Sequence, residues 1–435
     1  MKKDYDEYTS LLLMNKNTPV LLFSYDKETH SVAKIEKVFS EAHAPLGVVD
    51  YKNGISRKAL NIWWQGRAIP ASRENFSRIL QELRIESSVE LLERCSGFSL
   101  SDQYWVKDSD SPAEWKDLNF FKNEFSEDMG RLLLGQTEAR PGLNLISPDN
   151  SSDGDLIKKW KIIDGNRYLI KGGNSLNNQE PYNEVIATRL YERILAPGEF
   201  VPYFLLEDEG KMYSACKTMV TVDEELVTAL SIDGTTKQRG NQSFYDHFIL
   251  SCRELGIPDA EIMIDKMLTC DYILANYDRH YRNFGAIRNV ETLSWKGFAP
   301  IYDSGSSLWA RTATPEISPF NYYSKPFKSD PQKQFMLVKD LSWLDEKKLS
   351  GFENDVKEVL FQNPLMDEQR INLISHHVKN RVNEVLERKH MLENGRKMPL
   401  SNVIRSCEAK REDLQAKFAN EPCKQNAPKD NSPKR

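Results

Sequence analysis

A change of hydrophobic period midway along the chain constrains its fold more than any other feature. Between about residues 155 and 220, apolar residues come in short runs bounded by turn formers; beyond about 240 they recur at three- and four-residue spacing. Trp160–Ile163 and Tyr168–Ile170 read as strands bridged by the turn Asp164-Gly165-Asn166. A helix is predicted from about Tyr182, with Val185, Ile186, Leu190 and Ile194 on its buried side and Pro197-Gly198 at its end. Phe200–Leu206 and Met212–Val220 read as a second strand pair turning at Glu207–Lys211, so this stretch is β-β-α-β-β. Further on, Phe244, Phe248 and Cys252 mark one helical face, and Ile264, Met267, Leu268 and Tyr272 another. The run Asp367–Asn394 carries Ile371, Ile374, Val378, Val382, Val385 and Leu386, with Gly395 as C-cap. Such a switch predicts an α+β chain in which a small β-rich lobe precedes a mostly helical one.

The upstream third reads differently. Pro19–Tyr25 and Ser31–Ile35 predict a hairpin with the polar turn Asp26–His30, and a polar run through Gly54 follows. Phe76, Ile79, Leu80 and Leu83 line one face of a helix starting near Ser72. Two short helices near Trp63 and Phe76 fit a helix-turn-helix that reads DNA, or simply a pair packing on its neighbours. The charge favours the second: 59 Lys+Arg against 64 Asp+Glu leave a net −5, which supports no general attraction to nucleic acid or an anionic membrane. Residues 139–156 are rich in turn formers and mark a boundary or loop, and 421–435, with three prolines, predict a disordered tail. Neither a secretory signal nor a membrane span is legible, and the six cysteines form no Cys-x-x-Cys pair, so a cytoplasmic setting is expected.

The chemistry concentrates in Asp278-Arg279-His280-Tyr281-Arg282-Asn283-Phe284-Gly285, after the helix through Ile264–Ala275. Phosphoryl transfer needs a carboxylate to orient the attacking hydroxyl and take its proton, and a nearby amide or carboxylate oxygen for Mg²⁺. Asp278 and Asn283 have the five-residue spacing of the protein-kinase catalytic loop, though an Asp and an Asn in one turn also cap backbone. Twenty residues on, Ile301-Tyr302-Asp303-Ser304-Gly305 presents an Asp followed by x-Gly, as kinases present their main Mg²⁺ ligand, behind a hairpin at Trp295–Tyr302. Upstream, Lys171 ends an apolar strand where it can reach ATP phosphates if Glu184, thirteen residues on, or Glu180 holds it. Ser151, Ser152 and Gly154, with the Lys158-Lys159 pair, stand where a phosphate-covering loop belongs, although no G-x-G-x-x-G is present. Ala215–Met219, with Cys216 and Thr218, is expected to be the hinge whose backbone meets adenine.

The set Ile170-Lys171-Gly172, Asn183-Glu184, Asp278-x-His280-x-x-Asn283-Phe284-Gly285 and Tyr302-Asp303-Ser304-Gly305 resembles the HipA-like serine/threonine kinases over roughly residues 150–390. The run Leu100-Ser101-Asp102-Gln103-Tyr104-Trp105 is similar to a subgroup from Gram-positive bacteria. The resemblance implies a two-lobed protein-kinase-like fold: an N-terminal module at 1–130, an N-lobe at 131–225, a helical C-lobe at 226–400, and a helical extension and tail at 401–435. It implies Asp278 as catalytic base, Asn283 and Asp303 as Mg²⁺ ligands, Lys171 on the ATP phosphates and His280 beside the nucleotide. It further implies a protein substrate with a Ser or Thr acceptor, a DNA-binding antitoxin partner, and silencing by autophosphorylation at Ser151 or Ser152. The poorly glycine-endowed loop and the different N-terminal module depart from the toxin pattern. A small-molecule kinase would share the same set, a metal-dependent phosphoesterase would use Asp278, His280 and Asp303, and a pseudokinase binding module would have lost Lys171, Asp278 or Asp303, which are all present.

Overall fold

A computed structural model describes residues 8–50, 54–174, 176–319 and 321–395; the expected tail and the centre of the polar run before Gly54 lie outside them. The chain divides into two compact units, Met1–Val385 and Leu386–Arg435. In the second, the described residues complete the last helix, where Lys389 pairs with Glu393 four residues on.

The chain opens with strands β1 (Tyr8–Asn15), β2 (Thr18–Asp26) and β3 (Ser31–Val38), then the short pair β4 (Val49–Asp50) and β5 (Gly54–Ile55). Helices α1 (Arg57–Gln65), α2 (Phe76–Leu83) and α3 (Ser88–Arg94) lead to β6 (Tyr104–Asp108), which joins an antiparallel sheet in the order β3-β2-β1-β6. The predicted hairpin is β2–β3, and β1 is an addition. Its alternation is hidden because both faces are covered: Leu11 and Leu13 enter a core with Phe23, Tyr25 and Trp64, while Met14 enters another with Phe98 and Trp105. Helix α2 starts at Phe76 rather than near Ser72, because Asn75 is left-handed and the side chains of Ser72 and Arg73 are drawn to residues 152–155.

After α4 (Trp115–Leu118) and α5 (Asp128–Leu133) come β7 (Lys158–Ile163), β8 (Asn166–Lys171), α6 (Glu180–Ile194), β9 (Tyr203–Asp208) and β10 (Lys211–Lys217). Their sheet runs β7-β8-β10-β9. Both hairpins close through two residues of positive φ, Asp164-Gly165 and Glu209-Gly210, the conformation that matches strand twist. Strand β9 begins at Tyr203 rather than Phe200, since Phe200 lies before Pro202 and makes only a parallel bridge to Ile301. Helix α6 lays Tyr182, Ile186 and Leu190, all buried, beneath the sheet.

The remainder is β11 (Glu224–Thr228), α7 (Ala229–Asp233), α8 (Phe244–Leu255), α9 (Ala260–Leu274), β12 (Gly285–Asn289), β13 (Trp295–Phe298), α10 (Pro331–Phe335), α11 (Glu346–Leu349), α12 (Phe352–Leu360) and α13 (Glu368–Glu393). Strands β11-β12-β13 form a third antiparallel sheet. Gly285 opens β12 where a Cβ would stand 2.1 Å from the Val227 carbonyl oxygen, so only glycine lets β11 and β12 meet at that point. Phe284 beside it is buried in a ring cluster with Phe248, Tyr281 and Phe327, which fixes the loop from Asp278 onto α8. The chain is therefore a mixed α/β protein, and among the described residues no helix is long and apolar enough to cross a membrane.

Candidate functional site

Helix α9 stops at Ala275, which takes a left-handed conformation, and the chain turns into the loop Asn276–Asn283. Asn276 Oδ1 accepts the Asp278 amide at 2.9 Å and its Nδ2 donates to Asp271 at 2.9 Å, so the loop is keyed to the last turns of α9. Arg279 is fully buried. It forks onto Asp271 at 2.9 and 3.0 Å, and donates to the Asn283 carbonyl at 2.8 Å, the Tyr302 carbonyl, and Ser304 Oγ at 2.9 Å. Burial works against its charge, but Asp271 outweighs burial and holds the guanidinium above its ordinary pKa. One arginine thus fastens the Asp278 loop to the segment carrying Asp303.

Asp303 has φ +57°, a left-handed backbone that costs an aspartate on the order of 1 kcal/mol. The flanks hold it there: Arg279 grips residues 302 and 304, and Glu184 accepts the Ser304 amide at 3.0 Å. Lys171, at the end of β8, donates to both Glu184 and Asp303. Burial disfavours the Asp303 charge, yet Lys171 and then Lys158 hold its carboxyl well below the carboxylate range. Burial likewise opposes the Lys171 ammonium, and Asp303 and Glu184 more than offset it. Glu180 is not the partner of Lys171; it binds the Asn174 amide at 3.0 Å and lies 3.7 Å from Arg311.

These groups face a cavity of about 680 Å³, lined by Lys171, Asp303, Asp278, His280 and Asn283, by Ser151, Ser152 and Gly154, and by Cys216 and Thr218. Glu184 stands behind Lys171. Leu169, Val201, Met219 and Leu226 supply apolar wall, and the volume is of the size that holds a nucleotide. His280 Nε2 lies 4.0 Å from Asp278 Oδ2, and its Nδ1 accepts the Arg282 amide at 3.2 Å. Cys216 pairs with Leu169 and Tyr203 in the sheet, and burial pushes its thiol up to about 12. The Thr218 amide donates to the Arg167 carbonyl at 2.9 Å, so the expected hinge donor at that residue is already engaged.

The expected lysine pair splits, because successive strand residues face opposite ways. Lys158 lines the cavity and donates to the Asp153 carbonyl at 2.6 Å, while Lys159 turns away to Asp208 at 2.7 Å. Burial, with Arg73 and Lys171 nearby, pushes Lys158 down to about 8 against the pull of Asp303. Ser151 Oγ donates to the Phe98 carbonyl at 2.9 Å, and buried Ser152 Oγ donates to the Asp149 carbonyl at 2.7 Å.

Sequence reasoning missed Arg73. This buried arginine from the first third of the chain donates to Ser152 Oγ at 2.9 Å, the Ser152 carbonyl at 2.6 Å, and the Gly154 carbonyl at 3.0 and 2.9 Å. Pro70 and Ser99–Ser101 also line the cavity. Leu100 and Ser101 open the run singled out above, but nothing local points that run, Pro70 or Arg73 at the cavity, because they lie far along the chain from its other residues.

The donor set fits Mg²⁺ and a nucleotide. Asn283 Nδ2 donates to the Asp278 carbonyl at 3.0 Å, so its amide oxygen would be the atom to hold a metal, and Asp303 would add a carboxylate oxygen beyond the one Lys171 takes.

No family model matches the chain, and no curated protein does. Among solved structures, the Helicobacter pylori proinflammatory kinase CtkA is similar at 17% identity and a TM-score of 0.41, over 54% of this chain and 95% of that one. The Neurospora crassa complex of PAN2 with PAN3 (pseudokinase and C-terminal region) is similar at 11% identity and a TM-score of 0.18, over 62% of this chain and 67% of that one.

Proposed function

We propose that this chain is a Mg-ATP-dependent serine/threonine protein kinase of the HipA-like type, with Asp278 as its base. The observation that carries the reading is one cavity in which Lys171, backed by Glu184, and Asp303 meet Asp278 and Asn283. Asp278, fixed through Asn276 and Arg279, orients the acceptor hydroxyl and takes its proton. Lys171, held by Glu184, offers its ammonium to the phosphates, and Asp303 and Asn283 offer the metal ligands. Bound Mg²⁺ neutralises charge on the transferring group. Lys158 adds a second cation from the opposite strand face to Lys159. The same cavity accommodates the expected autophosphorylation only if Ser151 or Ser152 leaves its present hydrogen bonds. A DNA-binding antitoxin partner remains part of the proposal through the sequence resemblance alone.

The test is incubation of the purified chain with γ-labelled ATP, Mg²⁺ and a cell lysate, followed by mass spectrometry. Asp278→Asn should lower transfer by at least about 100-fold while the melting temperature holds. Undiminished transfer by that variant refutes the assignment.

A further inference from the structure

Among the cations that line the cavity and that the kinase reading leaves unused, Lys325 stands nearest its chemistry. Lys325 Nζ lies 2.8 Å from Asp278 Oδ1, both groups line the cavity, and both side chains are partly exposed at 47% and 36%. Of the other lining cations, Lys171 has Glu184 and Asp303, Lys158 has the Asp153 carbonyl at 2.6 Å, Arg282 has Asp153 at 3.2 Å, and Arg311 faces Glu180 at 3.7 Å. Lys325 and His280 are the ones that face the base itself.

The segment that carries Lys325 is built to stay in place. Gln334 of α10 donates to the Lys325 carbonyl and accepts the amides of Phe327 and Lys328 at 3.0 and 2.9 Å. Ser324 closes the other side, its Oγ donating to the Lys328 carbonyl at 2.7 Å. Phe327 is buried and packs on Tyr281 of the Asp278 loop and Phe284 just after it, and on Tyr245 and Phe248 of α8. The ammonium and the carboxylate are therefore positioned by one shared ring cluster. An exposed ion pair contributes only about 0–1 kcal/mol to stability, so the Lys325–Asp278 contact is not itself what holds the fold together.

Resting on the kinase reading, we propose that Lys325 is a further catalytic residue that receives the charge of the transferred phosphoryl group. In the transfer, the acceptor oxygen bonds to the γ-phosphorus as the bond from that phosphorus to the ADP oxygen breaks. The electron pair leaves with ADP, and the acceptor proton goes to Asp278. At that moment the Asp278 charge that holds Lys325 is cancelled, and an anionic phosphoester stands beside it. The ammonium then passes from the neutralised carboxyl to the phosphoryl oxygens, without giving up a proton of its own.

Steady-state transfer from ATP by the full chain tests this. Lys325→Ala should lower kcat on the order of 100-fold, leave the ATP KM within about twofold and keep the melting temperature, while Lys325→Arg recovers at least about tenfold of the loss. If Lys325→Ala fails to fold, Lys325→Gln against Lys325→Arg decides in the same way. A Lys325→Ala kcat within about threefold of the parent, or a loss confined to KM, overturns the inference and leaves the kinase reading standing. A parent chain with no transfer overturns both.

Discussion

Arg279→Met is the perturbation with the most exactly stated consequence. The side chain is completely buried, as is nearly all of Asp271, and the fork between them measures 2.9 and 3.0 Å. Methionine fills much of the volume but leaves the Asp271 carboxylate with Asn276 as its one remaining side-chain donor among the described contacts. Breaking a buried pair by removing one partner costs about 3–5 kcal/mol, because an uncompensated charge stays behind. The Tyr302 and Asn283 carbonyls lose a donor too, at about 1–3 kcal/mol each where no water reaches them. Against a typical total stability of about 5–15 kcal/mol, the expected loss of at least 3 should shift urea unfolding, followed by tryptophan fluorescence, far toward lower denaturant. The partner variant isolates the cause. Asp271→Asn in the same chain removes the stranded charge, so the double variant should be more stable than Arg279→Met alone. A single-variant loss below about 1 kcal/mol, or a double variant no better than the single, refutes the view of Arg279 as the electrostatic tie between the two loops.

Two further outcomes follow from the proposed reading of the Lys158 and Arg73 side of the cavity. Lys158, held at about 8, is half charged at pH 8, and a bound polyanion favours the charged form; calorimetry in buffers of different ionisation heat should therefore register uptake of about half a proton at pH 8 and almost none at pH 6.5. Affinity for ATP then falls as pH rises past about 8, and Lys158→Gln should erase both effects; equal uptake at the two pH values counts against Lys158 as a phosphate group. Arg73→Ala removes four hydrogen bonds from residues 152 and 154 and should raise the ATP KM about tenfold with kcat within about threefold, alongside faster proteolysis near Asp155; unchanged KM and cleavage would show that the loop needs no clamp.

What could be read from the sequence was whatever repeats a local rule. The hairpin at Asp164-Gly165, the helix Glu368–Glu393 and the spacing of Asp278 and Asn283 each depend on neighbours within a turn or two. Lys171 and Glu184 were legible because one helix follows one strand. Arg279 was not, because its partner Asp271 sits among the apolar residues of α9 and reads as an interruption of a buried face. Lys159 is turned from the cavity to Asp208 because neighbouring strand residues face opposite ways, which a lysine pair in the sequence does not reveal. Arg73 and Lys325 answer to acceptors that no periodicity links to them, and β1 escaped because cover on both faces removes alternation.

The cavity is stitched from distant parts of the chain, and this governs when it comes into being. Lys171 reaches Asp303 across 132 residues, Thr218 reaches Leu100 across 118, and Arg73 reaches Gly154 across 81. Closures over such separations come late, since the chain surrenders loop entropy before contacts reward it. During synthesis, the strand bearing Lys171 exists long before Asp303 and Lys325 have been made. On the proposed reading, a chain that ends before Asp303 carries Lys171 and Glu184 without the rest of the set. A complete set therefore needs residues as far apart as Lys171 and Lys325 to have been made and brought together.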